Sequence, residues 1–507
     1  MKSGDNQKAI GSFIKKLREK RSLTQEELAE RLKTSQSAIA RIESGGQNLT
    51  AGELLKIGDA LEHKIVSLSD SIDFKIHGGK KLKGMIKTNA SKNGAMGLLC
   101  ASLLNKSTTI LYGIPRIEEV NRMLEIFSGL GVKCRWLERQ TLEIVPPQKF
   151  KAEGLIHNAV ASVRSSLMLI PAAVHNLKKF SLLHTGGCKM GERTIAAHRY
   201  ALENFGIFMK TQSNRYIISS KSLKPANIVM YEASDTATEN AIMAAALIPR
   251  ITKISFAPPN YQVQEVCFFL EKCGVKIDGI GTTTLLIHGV KKINQKIEYY
   301  NSEDPIESMM FISAAITTGS RLKIERCPID FLSLELIKLK AMGLKYKISK
   351  EYLALNKNTK LADITIFPSK LKALRDKIHA QPYPGINSDN LPFFVPIVTQ
   401  AEGTTLIHDW MWENRAIYFT ELNRLGANIT LADPHRVFIN GPTNLKPAQV
   451  VCPPALRPAM IILIAMLAAP GISILRNVYS INRGYEDVVS RLNSIGASIE
   501  KITDVQN

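Results

Sequence analysis

Six times along this 507-residue chain a helix-like stretch runs into a glycine and then into a short alternating strand. The junctions read LGVKC, FGIFM, CGVKI, MGLKY, LGANI and IGASI, centred on Gly131, Gly206, Gly274, Gly343, Gly426 and Gly496. Neighbouring glycines lie 68 to 83 residues apart, a regularity that predicts a repeated supersecondary unit. Glycine accepts the left-handed conformation that ends a helix, and period-two alternation beyond it turns one face of a strand inward. Before Gly131, Val120, Met123, Leu124 and Phe127 follow helical spacing; after it, Val132, Cys134 and Trp136 alternate with Lys133, Arg135 and Leu137. Three junctions fall before about residue 288 and three after it, which predicts two similar α/β domains with a cleft between them. Such a cleft is the default ligand site.

The chain is too long for one ordinary core, and its 45% hydrophobic and 22% charged residues are those of a globular protein. The apolar run Ala459 to Ala469, introduced by Arg457 and closed by Pro470, is too short to span a bilayer. No secretory signal is legible near Asp5 and Gln7, so a cytoplasmic location is expected, away from membranes. Seven cysteines stand without CxxC or Cys/His spacing, which argues against a disulfide framework and against a metal site. Of the net charge of +21, residues 1–70 carry +2 and the remainder +19. The basic excess therefore belongs to the large C-terminal part, where anionic substrates are one explanation.

Residues 9–69 contain no copy of the repeat and break into short amphipathic helices. Ile14 and Leu17 mark the first; Thr24 to Glu27 is a capping box opening the second, Lys33-Thr34 a turn, and Ser35 to Glu43 a third. Helix, tight turn and helix in this register make a helix-turn-helix. The stretch TQEELAERLKTSQSAIARIESG resembles the DNA-binding domains of the lambda repressor and Cro family, with Leu28, Ala29, Leu32, Ile39 and Ile42 at the packing positions. The resemblance implies that the third helix enters the major groove, with Gln36, Ser37 and Arg41 facing bases and Gln25 a phosphate. Repressor-type modules usually act as dimers, so a homodimer is the expectation.

Five segments of the large part offer chemistry. Lys92 and Asn93 stand between small residues before an apolar helix from Met96, and Cys188 with Arg193 stands on the glycine-rich loop HTGGCKMGERT. A thiol on a cation-lined loop is where reactive chemistry is expected. Asp304 precedes Pro305 at a helix entrance, as a general base or as a helix N-cap. Arg415 lies in WENRAIY and Arg483 in INRGYEDV.

With these motifs in order, the chain from about Ile72 to Ile502 resembles the enolpyruvyl transferases: SKNGA, VRSS with Arg164, GGCKMGER, DPIES, SDN with Asp389, ENR and INRGYE. The cysteine loop selects the UDP-N-acetylglucosamine 1-carboxyvinyltransferase branch. The resemblance implies a two-domain inside-out α/β barrel of six βα units, preceded by the small all-α module at 1–70. Its first domain would comprise 71–91 plus 290–507, and its second, carrying the cysteine loop, 92–289. It further implies enolpyruvyl transfer from phosphoenolpyruvate to a nucleotide sugar, in peptidoglycan precursor synthesis, without metal or organic cofactor. Lys92, Arg193 and Arg415 match cations that bind phosphoenolpyruvate, Asn93 a sugar contact, Arg164 an anion-binding position and Asp389 a residue near the reaction centre. Cys188 would protonate the enolpyruvyl methylene, and Asp304 would take the hydroxyl proton. The chain departs from the family where the uridine is cradled, at Thr194-Ile195-Ala196-Ala197 and at Ser234-Asp235-Thr236, and it carries Lys340 where Arg is frequent. A different acceptor, and a regulator that senses a cell-wall precursor, are the alternative readings.

Overall fold

The computed structural model describes residues 3–21, 23–47, 49–61, 72–156, 158–184 and 194–503. They form two compact units, one before Ile72 and one spanning Ile72–Ile502.

The first unit consists of helices Ser3–Lys20, Gln25–Arg31, Gln36–Glu43 and Ala51–Ala60. Thr24 accepts from the Glu27 amide at 3.2 Å and Glu27 reaches back to the Thr24 amide at 2.6 Å, so the expected capping box is present. Lys33, at φ 51°, makes the turn and Ser35 caps the third helix. Leu28, Ala29, Ile39 and Ile42 are buried with Ile14, Ile57 and Leu61, while Leu32 lies partly exposed at the edge of that core. The first helix starts at Ser3 rather than near Ile14, because its polar opening turns carry no apolar stripe to mark them.

The second unit carries the six repeats as six small sheets of three to five strands. All six junction glycines have φ between 84° and 102°, and each is followed by a strand at the edge of its own sheet. Those strands are Lys133–Glu138, Ile207–Gln212, Lys276–Asp278, Lys345–Ile348, Asn428–Asp433 and Ile499–Thr503. Helix Pro305–Thr317 is buried at every position, and helices Lys92–Ser102, Asp235–Ala246 and Leu456–Ala468 are buried over most of their length. Helices apolar on all sides belong in a core. Sheets outside and helices within make this an inside-out α/β barrel architecture. Its apolar side chains gather into two cores, one around Phe311 and Ile462, the other around Phe127 and Phe269.

The chain passes between these cores twice, side by side. Strand Met85–Lys87 pairs with Leu322–Pro328, and strand Ile297–Tyr300 pairs with Thr109–Tyr112, both in parallel. The segments that follow meet at an Ala90–Glu303 bridge, with Ser91 N donating to Ser302 O at 2.7 Å and Asp304 N to Asn89 O at 2.8 Å. This pairing brings the starts of helices Lys92–Ser102 and Pro305–Thr317 together. Among the described residues no helix is long and apolar enough to cross a membrane.

Candidate active site

Helix Lys92–Ser102 begins earlier than the apolar run from Met96, because Ser91 caps it by accepting from Gly94 N at 3.0 Å. Lys92 and Asn93 are thus its first two residues, and both line a cavity of about 640 Å³. The Lys92 ammonium donates to Glu119 Oε2 at 2.7 Å, and Asn93 Nδ2 donates to the buried Tyr261 hydroxyl at 2.9 Å. Arg483 lies 3.5 Å from the same Glu119. Burial pushes the Glu119 carboxyl up, but Lys92, Arg483 and Arg457 outweigh it and hold the group below its ordinary range.

Arg415 is fully buried, which loop arginines seldom are. Its Nε and Nη2 grip Asp409 at 2.5 and 2.7 Å, and Nη2 also donates to Ser388 O at 2.8 Å. This fork fixes the guanidinium in one plane. Arg415 lines the cavity, and its Nη1 is buried with no hydrogen-bond partner among the described residues. Arg457, at the start of the apolar helix Leu456–Ala468, donates to Asp389 Oδ2 at 3.0 Å and to the Tyr485 hydroxyl at 2.6 Å. Burial raises the Asp389 carboxyl, yet Arg457 and Arg415 bring it below the ordinary value, so it is ionised. Arg164 completes the cationic wall and donates to Thr194 O at 3.0 Å.

Asp304 stands at the helix entrance, as the N-cap of helix Pro305–Thr317. Its Oδ1 accepts from Ile306 N at 2.8 Å and its Oδ2 from Lys92 N at 3.4 Å, so it caps one helix and touches the start of another. Through Lys92 it reaches a residue of the cavity wall, and burial raises its carboxyl. Cys188 and Arg193 lie outside the described residues; Thr194, immediately after them, is in the wall. In the other unit, Ser37 and Arg41 are exposed on the third helix. Gln36 Nε2 donates to Gln25 Oε1 at 2.7 Å, Gln25 Nε2 to Glu43 Oε2 at 2.9 Å, and Glu43 is locked by Arg18.

Sequence reasoning missed Arg457, Glu119, Asp409 and Tyr261. Arg457 was legible as the single charge opening an apolar run, whereas Glu119 looked like any solvent-facing residue of an amphipathic helix.

Five cations from distant parts of the chain therefore face one cavity, four held by hydrogen bonds to carboxylates or carbonyls and Arg483 by its ion pair with Glu119. Such a wall receives an anion with several negative oxygens. Residues 76–492 match the family EPSP synthase (3-phosphoshikimate 1-carboxyvinyltransferase), and residues 14–64 match a helix-turn-helix family. Among curated proteins, the UDP-N-acetylglucosamine 1-carboxyvinyltransferase of Treponema denticola is 36% identical, over 84% of this chain and 99% of that protein. The protein of the same name from Borreliella burgdorferi is 33% identical, over 84% of this chain and 98% of its own length. Among solved structures, the enolpyruvyl transferase NikO from Streptomyces tendae superposes with a TM-score of 0.73 at 23% identity, over 86% of this chain and all of that one. An EPSP synthase from Acinetobacter baumannii gives 0.66 at 18% identity, over 85% of this chain, a likeness of fold. By its repeats, its cationic cavity and these matches, the chain belongs to the EPSP synthase family of carboxyvinyltransferases, with a helix-turn-helix module ahead of the transferase body.

Proposed function

We propose that the body transfers the enolpyruvyl group of phosphoenolpyruvate to the 3-hydroxyl of UDP-N-acetylglucosamine or a close nucleotide sugar, releasing phosphate. The observation that carries this reading is Arg415, which stands in a wall of fixed cations with its buried Nη1 unpartnered among the described residues. A buried donor needs an acceptor, and a phosphate or carboxylate oxygen supplies one. In the proposed reaction Lys92, Arg415, Arg457 and Arg483, with Arg193, hold the phosphate and carboxylate of phosphoenolpyruvate. Asn93, fixed by Tyr261, and Arg164 orient the acceptor. The sugar oxygen attacks C2 as its proton passes to a carboxylate, and Cys188 protonates the C3 methylene, giving a tetrahedral ketal. Loss of a C3 proton and of phosphate then regenerates the enol ether. Two carboxylates are candidates for the base: Asp304, raised by burial and beside Lys92, and Asp389, in the wall and held low by Arg457. The two cores, with limits near residues 91 and 290, would close on the substrates and exclude water.

The test is phosphate release from phosphoenolpyruvate with UDP-N-acetylglucosamine. Turnover is expected, and Cys188→Ala should lower it at least 100-fold; no release with this acceptor removes the substrate assignment. For residues 1–70 we propose sequence-specific DNA binding through Ser37, Arg41 and the Gln25–Gln36 pair. Selection of bound sites from a random duplex pool should give one motif. Arg41→Ala should weaken it by about 1–3 kcal/mol and relax one base position; recovery of no motif refutes the proposal.

A further inference from the structure

Helix Asp235–Ala246 opens onto the cavity with two consecutive polar side chains, Asp235 and Thr236, both in its wall. Their hydrogen-bonding sense is set from behind by His198, which is 3% exposed. Asn240 Nδ2 donates to Leu167 O at 3.1 Å and lies 2.9 Å from His198 Nδ1. An amide nitrogen offers only donors, so Nδ1 accepts and the imidazole proton sits on Nε2. Burial, with Arg164 nearby, pushes His198 down to about 3, so the ring remains neutral. Nε2 then donates to Thr236 Oγ1 at 3.3 Å. With an acceptor site of its oxygen filled from behind, the Thr236 hydroxyl turns its own proton toward the cavity.

Asp235 is the opposite kind of group. Asn260 Nδ2 donates to its Oδ2 at 2.8 Å, and no cation among the described residues pairs with it. A carboxylate has room for several donors, so most of its accepting capacity is left for a ligand. Glu232, three residues earlier, lines the same wall and adds negative charge. A phosphate set here would meet two carboxylates.

We infer that Asp235 and Thr236 together select an acceptor that presents an amide edge, an N–H beside a C=O, and turn phosphate away from this part of the cavity. The N–H donates to the Asp235 carboxylate and the C=O accepts from the Thr236 hydroxyl. This rests on the acceptor being a nucleotide sugar, and two parts of such a molecule carry that edge: the imide of a uracil ring and the N-acetyl group of the sugar.

The experiment measures binding by calorimetry, and phosphate release separately, for UDP-N-acetylglucosamine, its N3-methyluracil analogue and UDP-glucosamine. The wild type is compared with Asp235→Ala and with Thr236→Val, which keeps its shape. One analogue is expected to bind the wild type at least about tenfold more weakly than the parent. That analogue identifies the part of the acceptor read, and its penalty should vanish in Asp235→Ala and shrink in Thr236→Val. Equal binding of all three by the wild type, a penalty unchanged in both variants, or no binding at all overturns the inference. Asp235-dependent binding without phosphate release would instead sink the transferase reading and leave this one standing.

Discussion

Two carboxylates coupled to the same Arg457, Asp304 and Asp389, differ in their surroundings. Asp304 feeds both oxygens with backbone amides and burial raises it, while Asp389 stands in the cavity wall with Arg457 and Arg415 holding it ionised. General bases contribute about 10²- to 10⁴-fold. Asp389→Asn should therefore lower kcat at least 100-fold with a melting temperature close to wild type. Asp304→Asn retains a good N-cap and should stay within about 0.5 kcal/mol of wild-type stability, with kcat within about tenfold. Steady-state kinetics and thermal melts on the two variants decide it, and the reverse pattern would return the base role to Asp304.

The repeated unit was legible from its glycines because a left-handed residue at a helix end leaves a chemical trace, and all six positions carry it. The six are not equally tolerant. A Cβ on Gly131 would meet nothing nearer than Pro147 at 3.6 Å, whereas one on Gly206 would press the Ser222 carbonyl at 3.0 Å. Gly131→Ala should then cost about 1–2 kcal/mol, the left-handed penalty alone, and Gly206→Ala more. Denaturant unfolding of the pair checks the order; equal losses would mean that contact adds nothing. What stayed illegible has a common cause. Lys92–Glu119, Arg457–Asp389 and Arg491–Glu307 join residues 27 to 184 positions apart, and only the folded chain brings them together. Arg457 left a trace as the single charge opening an apolar run, but nothing local names Asp389 or Tyr485 as its partners. The capping box of the first unit, by contrast, is local and was read correctly from four residues.

Glu265 ties the two cores of the transferase body to each other. It rises from helix Tyr261–Lys272, whose apolar side lies in one core, and accepts from Ser302 N on the crossing segment at 3.1 Å. It also accepts from Asn356 Nδ2 at 3.2 Å, in a loop near the strand Lys360–Phe367 of the other core. Burial pushes its carboxyl up to about 7, against the bonds from Ser302 and Asn356, and Glu303 nearby adds to the rise. In the unfolded chain the same group releases its proton near 4.5. Between those values the folded chain binds more protons, so this contribution to stability is complete below pH 4.5 and is lost as pH rises through 7. Its size is about 3 kcal/mol. Glu265→Gln cannot titrate, so its stability should fall by about 2 kcal/mol less than the wild type's between pH 5 and pH 8. Asp235, His198 and His175 titrate alike in both proteins and cancel in that difference. Chemical denaturation at the two pH values measures it, and parallel pH profiles would show that Glu265 does not couple protonation to the joint. Because Tyr261 on the same helix holds Asn93, a looser joint at high pH should also reach the acceptor side, as a rise in acceptor KM that Glu265→Gln suppresses.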